Sequence, residues 1–331
     1  MSADAVVRTR SATSPGDLSE WAVPPTAVIV HDPVEAGAIS QLSGITDRTE
    51  LNDRYLFREA PDPARFATQH RDFVELVGRT VDQVHYLGDL LAGDDLMDQA
   101  NDNPNQVYTG DAVITLPWTP GRYLPGRLAG HIRRPETATM RGALDALGLT
   151  PIVDLPDDLV LEGGDVIPWS REGHRTLLVG FGRRTQRATL DFLADTLIPE
   201  VLDEIIGIEL AEWRINLDGG FVPVTHDLVV THPASVIGAL RIDGRGSEPL
   251  DLFAMLHDLG IGTVEVSQDE SRFQQSCNCL CVGERKIISY DLTPRVTEQL
   301  RREDVEVLAT PGSELVKGTG GPRCMSRPLY M

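Results

Sequence analysis

Lysine is nearly missing from this chain: among 331 residues it stands only at 286 and 317, and arginine carries the remaining positive charge. Schiff-base chemistry, which needs a lysine amine, has little to draw on. Basic surface is also scarce. Fifty acidic residues face 30 lysines and arginines, a formal net charge of −20. That excludes nucleic acid and anionic membrane surfaces as partners, because both call for basic patches, but it leaves a small cation open. No apolar run approaches a membrane span, and the opening stretch "MSADAVVRTRSATSPGDLSEW" lacks the apolar core of a secretory signal. A cytoplasmic location is the resulting expectation. Cysteine occurs only at 277, 279, 281 and 324. The first three alternate in "CNCLC", which on a strand puts all three on one face. Tetrahedral zinc sites use C-x₂₋₄-C spacing across a turn, so the expectation is reduced thiols against a core, with no metal and no disulfide framework.

What is present is an ordinary globular composition, 41% hydrophobic and 24% charged. Strand-like and helix-like stretches alternate. "TAVIVHDP" reads as a strand, and "ARFATQHRDFVELVGRT" has helical spacing through Phe66, Phe73, Val74 and Val77. "DDLVLEGGDVIPW" with "HRTLLVGFG", and "RINLDGGFVPVTHDLVVTHP", read as strand pairs. "TQRATLDFLADTLIPEVLDEII" reads as a helix interrupted at Pro199. The recurring unit is a strand pair, a helix and another strand, repeated about five times without a Pro/Ser-rich hinge. This predicts a flexible N-terminal segment over residues 1–25 and a single α/β domain over 26–331.

Three β-runs end on an acid with glycine close by: "VYTGD" (Asp111), "LVLEGGD" (Glu162, Asp165) and "INLDGG" (Asp218). Any one of them is explained by the shared liking of Asp and Gly for turns. Three together, in a chain that also carries "GTGGPRCMSRPLYM", point further. Glycines 318, 320 and 321 permit positive φ or close approach around Cys324, and Arg323 sits beside the thiol. Converging carboxylates without metal-ligand spacing suit a planar organic cation. A guanidinium is the natural candidate, and a thiol the natural nucleophile toward its central carbon.

The segments "NPNQVYTGD", "LEGGD", "RINLDGGF" and "GGPRCMSRPL", in this order, resemble the motif series of the arginine deiminases. These belong to a guanidino-group-modifying superfamily, with amidinotransferases, that shares a five-bladed α/β-propeller (pentein) fold. The resemblance runs from about residue 26 to the last residue. It implies Cys324 as nucleophile, Asp111 as the acid gripping the guanidinium (with Gly110 where the family has arginine), and Asp218 as a second catalytic acid. Glu162 is implied as either a guanidinium ligand or the group orienting the general acid. Asn105, Arg133 of "HIRRPET" and Arg184 of "GFGRRT" are implied to hold the amino-acid end of the substrate.

One residue departs from the family. The histidine that protonates the departing amine and then activates water is here Asn216. Asparagine has no proton to give near neutral pH, and loss of general acid–base help costs about 10²–10⁴-fold in rate. His226 and His232 are the nearest histidines downstream. Lys317 and Thr319 stand where relatives often carry an arginine. Three readings stay open: an arginine deiminase-like hydrolase acting through a Cys324 amidino-thioether, an amidinotransferase, and a non-catalytic guanidino-binding relative. All take a small cationic guanidino compound and need no cofactor. Assembly into a homo-oligomer is left open.

Overall fold

The computed structural model describes residues 17–331. Its sheets follow one recipe. Two strands joined by a tight turn pair antiparallel, and a third runs parallel to the second. A parallel neighbour cannot be reached by a hairpin, so a helical crossover leads to it.

The second blade joins β3 (Val113–Thr115) to β4 (Arg122–Pro125) antiparallel and β4 to β5 (Thr150–Pro151) parallel, across the helix Glu136–Ala146. In the third, β6 (Val166–Arg171) folds back into β7 (His174–Phe181) and β8 (Glu204–Leu210) follows the helix Arg187–Leu197. Its turn is Glu172–Gly173, at φ 52° and 83°; positive φ at both positions gives the twist a two-residue hairpin needs. The fourth pairs β9 (Phe221–Thr225) with β10 (Leu228–Thr231) and adds β13 (Gly262–Glu265) after the helix Leu252–Asp258. The fifth pairs β14 (Leu280–Gly283) with β15 (Lys286–Tyr290) and adds β16 (Glu306–Thr310) after the helix Pro294–Arg302. The remaining blade is stitched from both ends of the chain. In it β1 (Ala27–Val30) lies between β2 (Gln83–Tyr86), parallel, and β17 (Arg327–Leu329), antiparallel. The expected five-bladed α/β propeller is the fold.

Each helix docks through one apolar stripe. In Pro63–Gly78 the buried Phe66, Phe73, Val74 and Val77 repeat at helical spacing, and the Asp62 carboxylate caps the first turn by accepting from the Arg65 N–H at 2.9 Å. The apolar clusters span neighbouring blades: Ile206 and Ile208 of the third sheet pack in one core with Val222 and Val224 of the fourth and Ile287 of the fifth.

Four expectations are corrected. The helix does not continue through Pro199: it ends at Leu197, and β8 takes up the apolar run that follows. A hairpin of β11 (Val236–Asp243) and β12 (Gly246–Pro249), unread in the sequence, widens the third sheet to five strands. Of "CNCLC", only Leu280 and Cys281 are on a strand; Cys277 and Cys279 lie in the turn before it. All three are free and buried, and burial first of all pushes their thiols up, those of Cys277 and Cys279 to about 12. The segment expected to be flexible is packed from residue 17 on. Trp21 is 1% exposed in the core, and the Ser19 hydroxyl donates to the Ser170 carbonyl at 3.0 Å. Residues 1–16 lie outside the described residues. Among the described residues no helix is long and apolar enough to cross a membrane.

Candidate active site

The loop entering the first strand of each blade brings a polar side chain to one place. These loops carry Asp111, Glu162 with Asp165, Asn216 with Asp218, Asn278, and Cys324, ahead of β3, β6, β9, β14 and β17 respectively. Most open onto a single cavity of about 580 Å³, lined among others by Asn105, Asp111, Arg133, Arg184, Asn216, Asp218, Asn278 and Cys324. Glu162 and Asp165 stand behind the wall.

Two carboxylates and the thiol form the floor. Oxygen atoms of Asp111 and Asp218 and the Cys324 sulfur all lie within 4.8 Å of one another. Cys324 Sγ is 3.4 Å from Asp218 Oδ2 and accepts from Asn278 Nδ2 at 3.0 Å. Asp111 presents a buried Oδ1 that no hydrogen bond satisfies, while its Oδ2 accepts from Arg133 at 2.8 Å. A buried acceptor without a donor is costly, and a bound N–H donor would remove that cost.

Backbone fit accounts for glycine at 110. At Gly110 a Cβ would lie 2.7 Å from the Arg323 carbonyl oxygen and 2.9 Å from those of Cys324 and Ser326. The cysteine loop therefore packs directly on the backbone carrying Asp111, and the Gly110 N–H donates to the Cys324 carbonyl at 2.9 Å. The glycines of the cysteine loop act by the same closeness. None of 318, 320 and 321 has positive φ, contrary to one option read in the sequence; that conformation falls on Thr319, at 67°. Added Cβ atoms at Gly318 and Gly320 would collide with Tyr108, and at Gly321 with Asn278.

The thiol is not electropositive by default. Arg323 donates to Asp218 at 3.1 Å and to Glu20 at 2.8 Å, so its charge is already answered. Burial, then the charges of Asp111 and Asp218, hold the Cys324 thiol well above its ordinary range. A cation placed among these three groups reverses the balance toward thiolate.

Asn216 has a fixed orientation. Its Nδ2 donates to Glu162 Oε2 at 2.9 Å and to Asp165 Oδ2 at 3.1 Å. Both amide hydrogens are thereby used, and a flipped amide would set oxygen against two carboxylates. The carbonyl oxygen is left for the cavity, an acceptor with no proton to give. Asp165 is held in turn by the Thr185 hydroxyl at 2.7 Å and the Leu217 N–H at 2.9 Å. Glu162 also accepts from the Ala129 N–H at 2.9 Å and lies 3.4 Å from Arg184. Neither downstream histidine lines the cavity. His226 is buried beside Trp21, with ring centroids 6.1 Å apart, and His232 pairs with Ser235 at 3.1 Å.

The groups expected to hold an amino-acid end are already engaged. Arg133 grips Glu136 through Nε at 2.9 Å and a terminal nitrogen at 2.7 Å, besides Asp111. Asn105 lines the cavity but spends its amide on the Tyr55 carbonyl at 2.8 Å. Sequence reasoning missed Glu136, which looked like a first-turn acid, and Asn278. The latter stands at the same place in its blade as the three acids in theirs; extending that comparison to the fifth unit would have found it.

A ring of five such blades, with a cysteine and two carboxylates converging from separate entry loops, defines the pentein class. The family model for arginine deiminase matches residues 98–243 and 256–331, two-thirds of the chain, and the chain belongs to that family. The arginine deiminase of Staphylococcus haemolyticus (strain JCSC1435) is 25% identical over 269 residues, 69% of this chain and 62% of that protein. That of Rhodococcus opacus (strain B4) is 30% identical over 189 residues, 51% of this chain and 46% of its own length. The chain thus spans about half to three-fifths of these relatives. The product-bound N-terminal domain of ArgZ, an arginine dihydrolase of the ornithine-ammonia cycle in cyanobacteria, superposes with a TM-score of 0.66. Identity there is 18%, over 91% of this chain and 96% of that domain. An adduct of dimethylarginine dimethylaminohydrolase gives a TM-score of 0.63 at 18% identity, over 92% and 99%. At these identities the likeness is one of fold.

Proposed function

We propose that the protein is a guanidino-group hydrolase working through a covalent Cys324 intermediate. The observation that carries this is the convergence of the Asp111 and Asp218 oxygens and the Cys324 sulfur within 4.8 Å. The buried Asp111 Oδ1 lacks a donor, and a guanidinium supplies N–H groups that a metal ion does not. A flat guanidinium donates to both acids in their plane and leaves its carbon facing the sulfur.

The cation draws the thiol toward thiolate, and Asp218 Oδ2, already bonded to the sulfur, takes the proton. Attack forms the C–S bond of a tetrahedral adduct. Collapse breaks a C–N bond, the departing amine leaves with the proton from Asp218, and an amidino-thioether remains. Water then adds to its carbon, giving one proton to the ionised Asp218, and the C–S bond breaks as the hydroxyl proton passes to the sulfur; a ureido product leaves and Asp218 releases its proton to solvent. In this scheme Asn216 positions but transfers nothing, and Glu162 orients Asn216.

A second reading rests on that same Asn216 geometry. With both hydrogens of the amide committed to Glu162 and Asp165, the site offers water no base at this position, whereas an amine acceptor brings its own. The protein would then be an amidinotransferase. Intact-protein mass after incubation with L-arginine, with citrulline and ammonia measured in the same sample and Cys324→Ala as control, separates the readings. Cys324-dependent citrulline supports hydrolysis. A persistent adduct with little citrulline supports transfer. Citrulline from the Cys324→Ala protein refutes the covalent scheme.

A further inference from the structure

Six arginines line the cavity against three acids, Asp53, Asp111 and Asp218. In a chain of net charge −20 this is a local inversion. Arg133 and Arg184 are answered, by Asp111 with Glu136 and by Glu162. Arg183 is exposed, and Arg214, Arg272 and Arg58 are held differently. Arg214 is 5% exposed, yet its partners are the hydroxyls of Ser235 at 3.2 Å and Ser271 at 2.5 Å and the ring of Trp213, 4.8 Å from the guanidinium carbon. Arg58 and Arg272 share one ring, that of Phe273, at 5.2 and 5.3 Å. Arg58 also donates to the Phe273 carbonyl at 3.4 Å, and its nearest acid is the half-exposed Glu59 at 3.8 Å. Arg272 makes no ion pair among the described residues. Burial pushes Arg214 down to about 10, and the charge of Arg272 works in the same direction, against Cys277 and Asp218.

Three arginines that line one cavity, held by hydroxyls, aromatic faces and a carbonyl with Glu59 the one paired acid, suit an anion. Of the three, Arg214 is buried, Arg58 half-buried and Arg272 exposed; a buried charge without a paired carboxylate is expensive, and an anionic ligand near Arg214 recovers part of that cost. The α-ammonium of an amino acid would meet repulsion here, with Asp53 the single lining acid outside the guanidinium cage.

We propose that Arg214, Arg272 and Arg58 bind an anionic group of the substrate, and that the substrate's non-guanidino end is net negative: an ω-guanidino acid with no free α-ammonium, rather than a zwitterionic amino acid. This rests on the guanidine reading above for the other end of the ligand.

Calorimetric titration of the full chain carrying Cys324→Ala tests it with 5-guanidinopentanoate, L-arginine, agmatine and glutarate. 5-Guanidinopentanoate is expected to bind about tenfold or more tighter than L-arginine, with agmatine weakest. Arg58→Gln and Arg272→Gln each lower its affinity about fivefold or more and leave agmatine binding undiminished. Glutarate, which has no guanidinium, binds weakly and loses that binding in the double variant. L-Arginine binding as well as or better than the deaminated acid, or indifference to both substitutions, overturns the proposal and leaves the guanidine reading intact. Glutarate binding that depends on the two arginines, with no guanidine bound, keeps the anion subsite and removes the guanidine reading. If no probe binds, both fall.

Discussion

Replacing Asn216 by histidine puts a proton carrier where the sequence resemblance leads one to expect it. The Asn216 Nδ2 lies 2.9 Å from Glu162 Oε2. An imidazole at this position sets its Nδ1–H close to that nitrogen, keeps the bond to Glu162 and turns Nε2 into the cavity. General acid–base help is worth about 10²–10⁴-fold, or about 3–5 kcal/mol of barrier. The substitution has a structural cost. One ring N–H serves one carboxylate where the amide served two, so Asp165 keeps only Thr185 and Leu217 as donors, a loss of about 1 kcal/mol in stability. The assay is release of ureido product from the guanidine that binds most tightly, with the Cys324 adduct followed by mass in the same reaction. Product formation is expected to rise by two to four orders of magnitude, the standing adduct to shrink, and the pH profile to gain a limb in the ordinary histidine range. A folded Asn216→His protein with product and adduct both unchanged would refute the reasoning: the missing proton would not be what limits the site.

Burial, with Asp111 adding and Arg323 opposing, raises Asp218 from 3.8 to about 6. Adduct formation is expected to fall as the pH drops through about 6, where Asp218 protonates and can no longer take the thiol proton, and Asp218→Asn is expected to lose that limb in a mass-based rate measurement. The same raised value means the folded state binds this proton more readily than the unfolded chain, so its contribution to stability is present below 3.8 and declines toward 6. Asn278→Ala leaves the N–H groups of Gly321 and Cys324, each 3.1 Å from Asn278 Oδ1, without their acceptor; urea unfolding is expected to show a loss of about 2–6 kcal/mol. Gly110→Ala drives a Cβ to 2.7 Å from the Arg323 carbonyl, with an expected cost of about 1–3 kcal/mol by the same measurement and a weaker Cys324 adduct.

Much of the ring was legible because its units repeat locally. Asp111, Glu162 and Asp218 were visible as acids beside glycine at strand entrances; Asp111 and Asp218 line the cavity, and Glu162 stands behind Asn216. What stayed hidden depends on partners distant in sequence. Glu136 is ordinary as a first-turn acid until Arg133 and Asp111 are seen against it. Arg323 looked like an activator of the neighbouring thiol, but Asp218, 105 residues earlier, takes its charge. The expectation of positive φ at the cysteine-loop glycines failed because glycine answers two needs, torsional freedom and thinness. Only the position of the Tyr108 ring shows that thinness was the one required. The helix misread through Pro199 reflects a buried strand, β8, whose apolar run has no alternation to betray it.

The blade that joins the two ends of the chain ties catalysis to the order of assembly. Its contacts bridge as many as 305 positions: the Thr26 hydroxyl donates to the Leu329 carbonyl and accepts from the Met331 N–H, and such distant pairings are slow to form. Only two residues separate Cys324 from β17, so the thiol meets Asp111 and Asp218 only as the ring shuts. Loss of that one seam in mild denaturant would silence the thiol while the other four blades still give a folded spectrum. Activity then becomes the earliest reporter of the ring coming open.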